Sequence, residues 1–226
     1  MPTEAGSRIS TAAANPDATS EWWGAPFYEG SSRQYSTFVP HDVAGLIRRL
    51  GGKPQFVAWL DSLFDEGAYN HGNEPDILAP WLYIHAGRPD RTAERVRAIM
   101  AKEYNSGRNG LPGNDDAGTL SSWYVWAAIG LFPNAGQPFY YIGSPVFTQS
   151  TVHLEHGRTF IIVAADSSTA NLYVQRAELN GHALNRAWLT HDELAGGGTL
   201  VLHMGSRPSG WAREASPPPQ IIRMGS

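Results

Sequence analysis

The sequence predicts an α+β fold, with a helical segment followed by a small antiparallel β unit. Two periodicities carry this. Up to about residue 131 the apolar residues recur every three to four positions, which is the spacing of one face of a helix. From about Pro138 the chain turns to short runs rich in β-branched and aromatic residues with turn signals between them. The size agrees: 226 residues, 42% hydrophobic and 17% charged, are enough for a sizeable core.

The first helix is expected in "HDVAGLIRRLGG". Val43, Leu46, Ile47 and Leu50 follow the i, i+3, i+4, i+7 pattern, Asp42 precedes them as a cap, and Gly51 and Gly52 stop the run. In "KPQFVAWLDSLFDEG", Phe56, Leu60, Leu63 and Phe64 share a face, with Pro54 in the first turn and Gly67 beyond the last. "RPDRTAERVRAIMAKEYN" aligns Val96, Ile99, Met100 and Tyr104 opposite its charges. After Asp116, the residues Leu120, Tyr124, Ala127, Ala128 and Leu131 form another stripe. The helices are expected to run antiparallel, with the polar residues in the loops that join them. Strands are expected in "FYYIG", "STVHLEH", "TFIIVAA", "NLYVQRAEL" and "GGGTLVLHM", and Asn180-Gly181 marks a hairpin. The chain therefore divides into a lead-in over 1–20 expected to be disordered, a helical segment over 21–137, a β unit over 138–205 and a Pro-rich tail over 206–226, also expected to be disordered. There is no internal repeat.

Composition excludes several classes. The net charge of −4 offers no basic footprint for nucleic acid or an anionic membrane. No stretch approaches the roughly 20 apolar residues of a membrane span. Residues 1–20 lack the basic start and apolar centre of a signal peptide. With no cysteine, disulfides, thiolate metal sites and a cysteine nucleophile are all ruled out. The 8 Trp, 9 Tyr and 8 Phe suit a core, and also the apolar faces of sugars.

Three polar clusters stand in loops. In "FYEGSSRQYSTFVPHD", Glu29 lies among Phe27, Tyr28 and Tyr35. Aromatic surroundings disfavour an ionised carboxyl, as a general acid requires; a surface glutamate in a turn is the plainer alternative. In "YNHGNEPDILAPWLY", Asn73, Glu74 and Asp76 offer hard oxygen ligands suited to calcium, beside the titratable His71. The spacing fits no EF-hand, and a loop closed by Gly72 and Pro75 with Asp76 capping the next helix accounts for it equally. In "GLPGNDDAGTLSSWYVWAAIGLFP", Asp116 lies where an N-cap belongs. A cap leaves Asp115, Asn114 and the glycines at 113 and 118 unexplained, and those glycines would let the backbone approach a ligand. A carboxylate at a helix N-terminus stays ionised, which suits a general base. An acid and a separated ionised base form the pair used in glycoside hydrolysis.

Taken in order, "YEGSSRQYSTFVPHDVAGLI", "GNEPD", "LPGNDDAGTLSSWYVWAAIGLFP", "YYIGSPVF" and "LNGHALNRAWLTHDEL" resemble the C-terminal part of glycoside hydrolase family 92, over about residues 21–205. The resemblance implies a calcium-dependent exo-α-mannosidase that inverts the anomeric centre, secreted or periplasmic, with a β-sandwich domain preceding an (α/α)6-type helical toroid. It implies Glu29 as general acid and Asp116 as general base, supported by Asp115. It further implies Asn114, His71 and Trp123 as sugar contacts, and Asn73 and Glu74 near Ca2+. Ser31 and Arg33 depart from an asparagine and a tryptophan common in the family, and Leu78 from a frequent histidine. A charged Arg33 beside Glu29 would favour its ionised form. The β-sandwich and most of the toroid are missing from this length, so a missing N-terminal domain or partner chain is expected to complete it, and uncovered apolar faces are expected to favour association. The substrate implied is a mannose-containing glycan. A non-catalytic carbohydrate-binding or scaffold remnant is the alternative. A toroidal phosphorylase would need a phosphate site, for which no Arg/Lys cluster or phosphate-cradling glycine loop is present.

Overall fold

The computed structural model describes residues 27, 28 and 30–219. The lead-in over 1–20, Glu29 and residues 220–226 lie outside the described residues. The chain is α+β, as its two periodicities require. It opens with α1 (Ser32–Tyr35), α2 (Val43–Arg49) and α3 (Lys53–Asp65), then short 3-10 turns at Glu74–Asp76 and Ala79–Ala86. Next come α4 (Pro89–Glu103), α5 (Thr119–Ile129), β1 (Leu131–Pro133), β2 (Phe139–Ile142), β3 (Gln149–His153) and β4 (Thr159–Val163). The remainder is β5 (Tyr173–Leu179), β6 (His182–Ala183), β7 (Trp188–Thr190), α6 (His191–Ala195) and β8 (Gly198–Gly205).

The capping signals act as read for α2, where the Asp42 side chain accepts from the Gly45 N–H at 2.8 Å. On α4 the charged face turns to α3: Arg91 and Arg95 both reach Asp61, and Arg95 also reaches Asp65. The 3-10 segment Ala79–Ala86 has no polar face. Pro80, Trp81, Leu82, Tyr83, Ile84 and His85 are all buried, so it runs through the core like a central post. Trp81 stacks on Phe132 with ring centroids 5.0 Å apart and lies 6.3 Å from both Trp123 and Tyr141, which joins the helices to β1 and β2.

The β unit differs from the expectation in two respects. It forms two sheets, β1-β2-β7 and β3-β4-β8-β5-β6, and the second is mixed because β4 and β8 run parallel. The α6 crossover returns the chain to the sheet after β7, allowing a parallel pairing that consecutive hairpins would not give. The first sheet also begins inside the expected helical segment: α5 ends at Ile129 with Gly130 beyond it, so Leu131 starts a strand and does not extend the stripe. The hairpin at Asn180-Gly181 forms between β5 and β6, with both residues left-handed at φ 52° and 79°.

The stretch from Ser206 to Pro219 is packed against the sheets, whereas its Pro-rich composition suggested disorder. Trp211 is buried, its Nε1–H donates to the Leu184 carbonyl at 2.7 Å, and Trp188 Nε1–H donates to the Ser216 carbonyl at 3.1 Å. One large aromatic side chain offsets the weak local preference of the segment. Among the described residues no helix is long and apolar enough to cross a membrane.

Candidate active site

The loop between α4 and α5 holds the two adjacent aspartates, and the structure gives them opposite environments. Asp115 folds back onto the open end of α5. Its Oδ1 accepts from the Ser121 N–H and its Oδ2 from the Ser121 hydroxyl, both at 2.8 Å. These bonds favour the charged form and hold its pKa below the usual carboxylate value. The side-chain bond to the first turn of α5 is therefore made by Asp115. Asp116, read from the sequence at the N-cap position, does not cap the helix: the N-cap residue is Gly118, with φ 87°. Asp116 and Ala117 are also left-handed, at φ 39° and 58°. Three successive residues in that region turn the chain outward before the helix begins. For a residue with a Cβ the region costs on the order of 1 kcal/mol or more. The Asp116 side chain is exposed, and its carboxylate has no hydrogen bond or ion pair with the described residues.

The second loop, residues 69–76, is closed from within. Asn70 N–H donates to Asp76 Oδ2 at 2.7 Å, and Gly72 N–H donates to Asn70 Oδ1 at 3.0 Å. Asp76 is fully buried and does not cap a following helix; burial raises its carboxyl to about 7. Two buried carboxylate oxygens, Glu74 Oε1 and Asp76 Oδ1, have no hydrogen-bond partner among the described residues.

The glycines of the two loops serve a purpose other than making room for a ligand. A methyl group on Gly72 would stand 2.7 Å from the Pro112 carbonyl oxygen, and one on Gly113 would collide with the Gly72 carbonyl. The backbones of the two loops thus touch, and only glycine permits it. This contact brings Asn73 and Glu74 into the same neighbourhood as Asn114, Asp115 and Asp116.

Behind the loops lies an aromatic cluster that includes two of the residues read as sugar contacts. His71 and Trp123 are 3% and 1% exposed. Both His71 nitrogens bond to tyrosine hydroxyls, Nδ1 to Tyr69 at 2.6 Å and Nε2 to Tyr104 at 2.7 Å. Trp123 Nε1–H donates to the Ile77 carbonyl at 3.0 Å, while its ring lies parallel to Tyr104 and edge-on to His71. Neither offers surface or a spare polar atom to a sugar here, because the large aromatic area is spent on packing the helices. Burial lowers the pKa of His71 to about 3, so it is neutral. Asn114, by contrast, is exposed. An open cleft of about 560 Å³ adjoins the Asp115 cap, lined by Tyr104, Arg108, Leu111, Ser121 and Tyr124 among others.

Glu29 lies outside the described residues, but its neighbourhood in sequence is informative. Arg33 is buried, and its guanidinium donates to Glu66 Oε2 at 2.7 Å and to Ser62 Oγ at 2.6 Å. Its charge is thus committed to α3, which reduces any bias on a nearby carboxyl. Sequence reasoning did not identify Ser121, Tyr69 or Tyr104 as parts of this region. Ser121 carries a usable signal, a hydroxyl in the first turn of the helix that Asp115 precedes.

A helical array ending in an acidic loop, backed by aromatics and followed by sheets, is compatible with a piece of a carbohydrate-hydrolase catalytic domain. Comparison makes this specific. Residues 6–206 match the glycosyl hydrolase family 92 catalytic domain, and the chain belongs to that family. An uncharacterized secreted glycosidase of Arthroderma benhamiae is 41% identical over 201 residues, which are 88% of this chain and 26% of that protein. Among solved structures, the family 92 inverting mannosidase of Bacteroides thetaiotaomicron superposes with TM-score 0.81 at 38% identity, over 87% of this chain and 30% of that one. A family 92 α-mannosidase of the same organism, bound to mannoimidazole, gives TM-score 0.81 at 33% identity over 86% and 28%. The chain therefore spans less than a third of the length of each of these relatives.

Proposed function

We propose that this chain is the C-terminal part of the catalytic region of a calcium-dependent exo-α-mannosidase that inverts the anomeric centre. The observation that carries the reading is the division of labour between the paired aspartates. Asp115 is bound to α5, while the carboxylate of Asp116 beside it is exposed and makes no bond with the described residues, at a left-handed turn. A general base needs a carboxylate free to take a proton from water, and strained turns recur at such positions. Asp116 is the base in this reading, Asp115 fixes the loop, Asn114 contacts the sugar and Glu29 is the acid. Inversion requires the two carboxyls to stand roughly 6.5–9.5 Å apart, leaving room for water.

Calcium fits the second loop in part. Among the described residues no three His, Asp or Glu side chains form a metal cluster. Calcium, however, draws on amide and carbonyl oxygens as well as carboxylates. The buried Glu74 Oε1, which has no partner among the described residues, is the kind of oxygen a cation would satisfy, and the Asn73 amide adjoins it in sequence. Bound there, the ion would supply positive charge to sugar hydroxyls.

The helices form part of an (α/α)6 toroid in this reading, completed by chain that the present sequence does not contain. α5 supports this: beyond its first turn it is entirely apolar or aromatic, yet Tyr124 and Val125 are 38% and 59% exposed. A preceding β-sandwich domain or a partner chain would cover such a face. Like its curated relative, the whole protein is proposed to be secreted.

The deciding experiment is turnover of an α-mannoside by a polypeptide carrying this chain, with calcium and with chelator. Turnover that chelator abolishes supports the reading. Sugar binding in calorimetry with no turnover would instead identify a carbohydrate-binding remnant. A related prediction isolates the metal. Calcium should raise the melting temperature, since saturation at a hundred times Kd stabilises by about 2.7 kcal/mol. Glu74→Ala should remove that shift while leaving the melt without metal unchanged. A shift that survives Glu74→Ala would place the ion elsewhere.

A further inference from the structure

The hydrogen bonds around His71 form a directed chain from the 69–76 loop to the first turn of α5. The Tyr104 hydroxyl donates to the Leu120 carbonyl at 3.0 Å, so its one proton is used there. Facing His71 Nε2 at 2.7 Å, Tyr104 can then only accept, so Nε2 carries the imidazole proton. The other nitrogen, Nδ1, must accept from the Tyr69 hydroxyl at 2.6 Å. The chain thus runs from Tyr69 through His71 and Tyr104 to Leu120 in the first turn of α5, one residue before the Ser121 that holds Asp115. One residue beyond His71, Gly72 touches Pro112 and Gly113 backbone to backbone. Two independent links tie the 69–76 loop to this region, a polar one to the first turn of α5 and a steric one to the 110–118 loop itself.

We propose that His71 is a positioning residue that clamps the 69–76 and 110–118 loops into one unit, so that a sugar or cation held at Asn73 and Glu74 is presented to Asp116 in fixed register. This rests on the assignment of Asp116 as base. His71 touches no reacting atom. An Nε2-protonated ring suits the task, because Nδ1 is then left to accept from the Tyr69 hydroxyl and the direction of the chain is kept.

The test has one arm without turnover and one with it. In the chain as it stands, nitrogen NMR of the His71 ring should show the Nε2–H form. His71→Phe keeps the aromatic packing and removes both bonds; amides of 69–76 and 112–121 should then exchange at least tenfold faster, with β4, β5 and β8 unchanged. Should His71→Phe fail to fold, Tyr104→Phe, which loses only a hydroxyl, should give the same pattern at 112–121. In a mannoside-cleaving polypeptide carrying the chain, either variant should lower kcat at least tenfold with KM within twofold, and the double variant should be no worse than the more affected single one. An Nδ1–H ring, unchanged exchange at 112–121, or a raised KM with full kcat would overturn the proposal. A parent that turns over no mannoside would refute the enzymatic reading alone, since the tautomer and exchange measurements still decide the clamp.

Discussion

Asp116→Asn should abolish most mannoside turnover and leave stability untouched. The amide cannot take a proton from water, and loss of a general base costs roughly 10²–10⁴-fold in rate. The carboxylate makes no bond with the described residues and does not cap α5, so the melting temperature should not move. Asp115→Asn should behave in the opposite way. An asparagine oxygen can still accept from the Ser121 N–H, but the amide nitrogen that replaces Oδ2 cannot accept from the Ser121 hydroxyl, so the start of α5 should loosen and the melting temperature fall. Turnover should fall less than for Asp116→Asn. The pair is checked by steady-state kinetics beside thermal unfolding. Full activity in Asp116→Asn would remove the base.

Trp81→Ala should have the largest effect on folding. The side chain is completely buried, stacks on Phe132 and lies within ring-packing distance of Trp123 and Tyr141, so one truncation empties the joint between the helices and the β1-β2-β7 sheet. Trp→Ala at such sites costs about 3–5 kcal/mol, a large share of the stability of a domain. Trp81→Phe should cost much less, because it retains part of the stack and removes an Nε1–H that has no acceptor among the described residues. Urea unfolding of the two variants measures the difference. Similar costs for both would mean that ring stacking contributes little at this joint.

The legible features were those that act through local spacing. The apolar stripes of α2, α3 and α4 are repeats of three and four residues that tertiary context has no reason to override, and an Asn-Gly pair favours the left-handed backbone that Asn180 and Gly181 adopt. The buried 3-10 post at Ala79–Ala86 has no periodicity to read, since every face is covered. The parallel pairing of β4 with β8 joins segments separated by β5, β6, β7 and α6, and no local signal reports such a contact. The same division holds at the candidate site. The acidic pair could be found by composition, and so could its unusual setting between glycines. Which aspartate caps the helix depends on three left-handed residues, only one of them glycine. His71 and Trp123 looked like sugar contacts because aromatic and imidazole groups serve both packing and recognition. His71 is enclosed by Tyr69 of its own loop and by Tyr104, which comes from another segment and also stacks on Trp123. In the sequence Gly113 reads as a place where the backbone could approach a ligand, but what approaches is the other loop, at Gly72, which reads only as closing its own turn.

The central claim is that a carboxylate of this chain activates water for displacement at the anomeric carbon with inversion. Proton NMR of the sugar first released from an α-mannoside, recorded before mutarotation, tests it most directly. Attack by water from the face opposite the leaving group yields β-mannose as the initial product. Initial release of α-mannose would mean retention through a covalent intermediate, and would contradict the role assigned to Asp116.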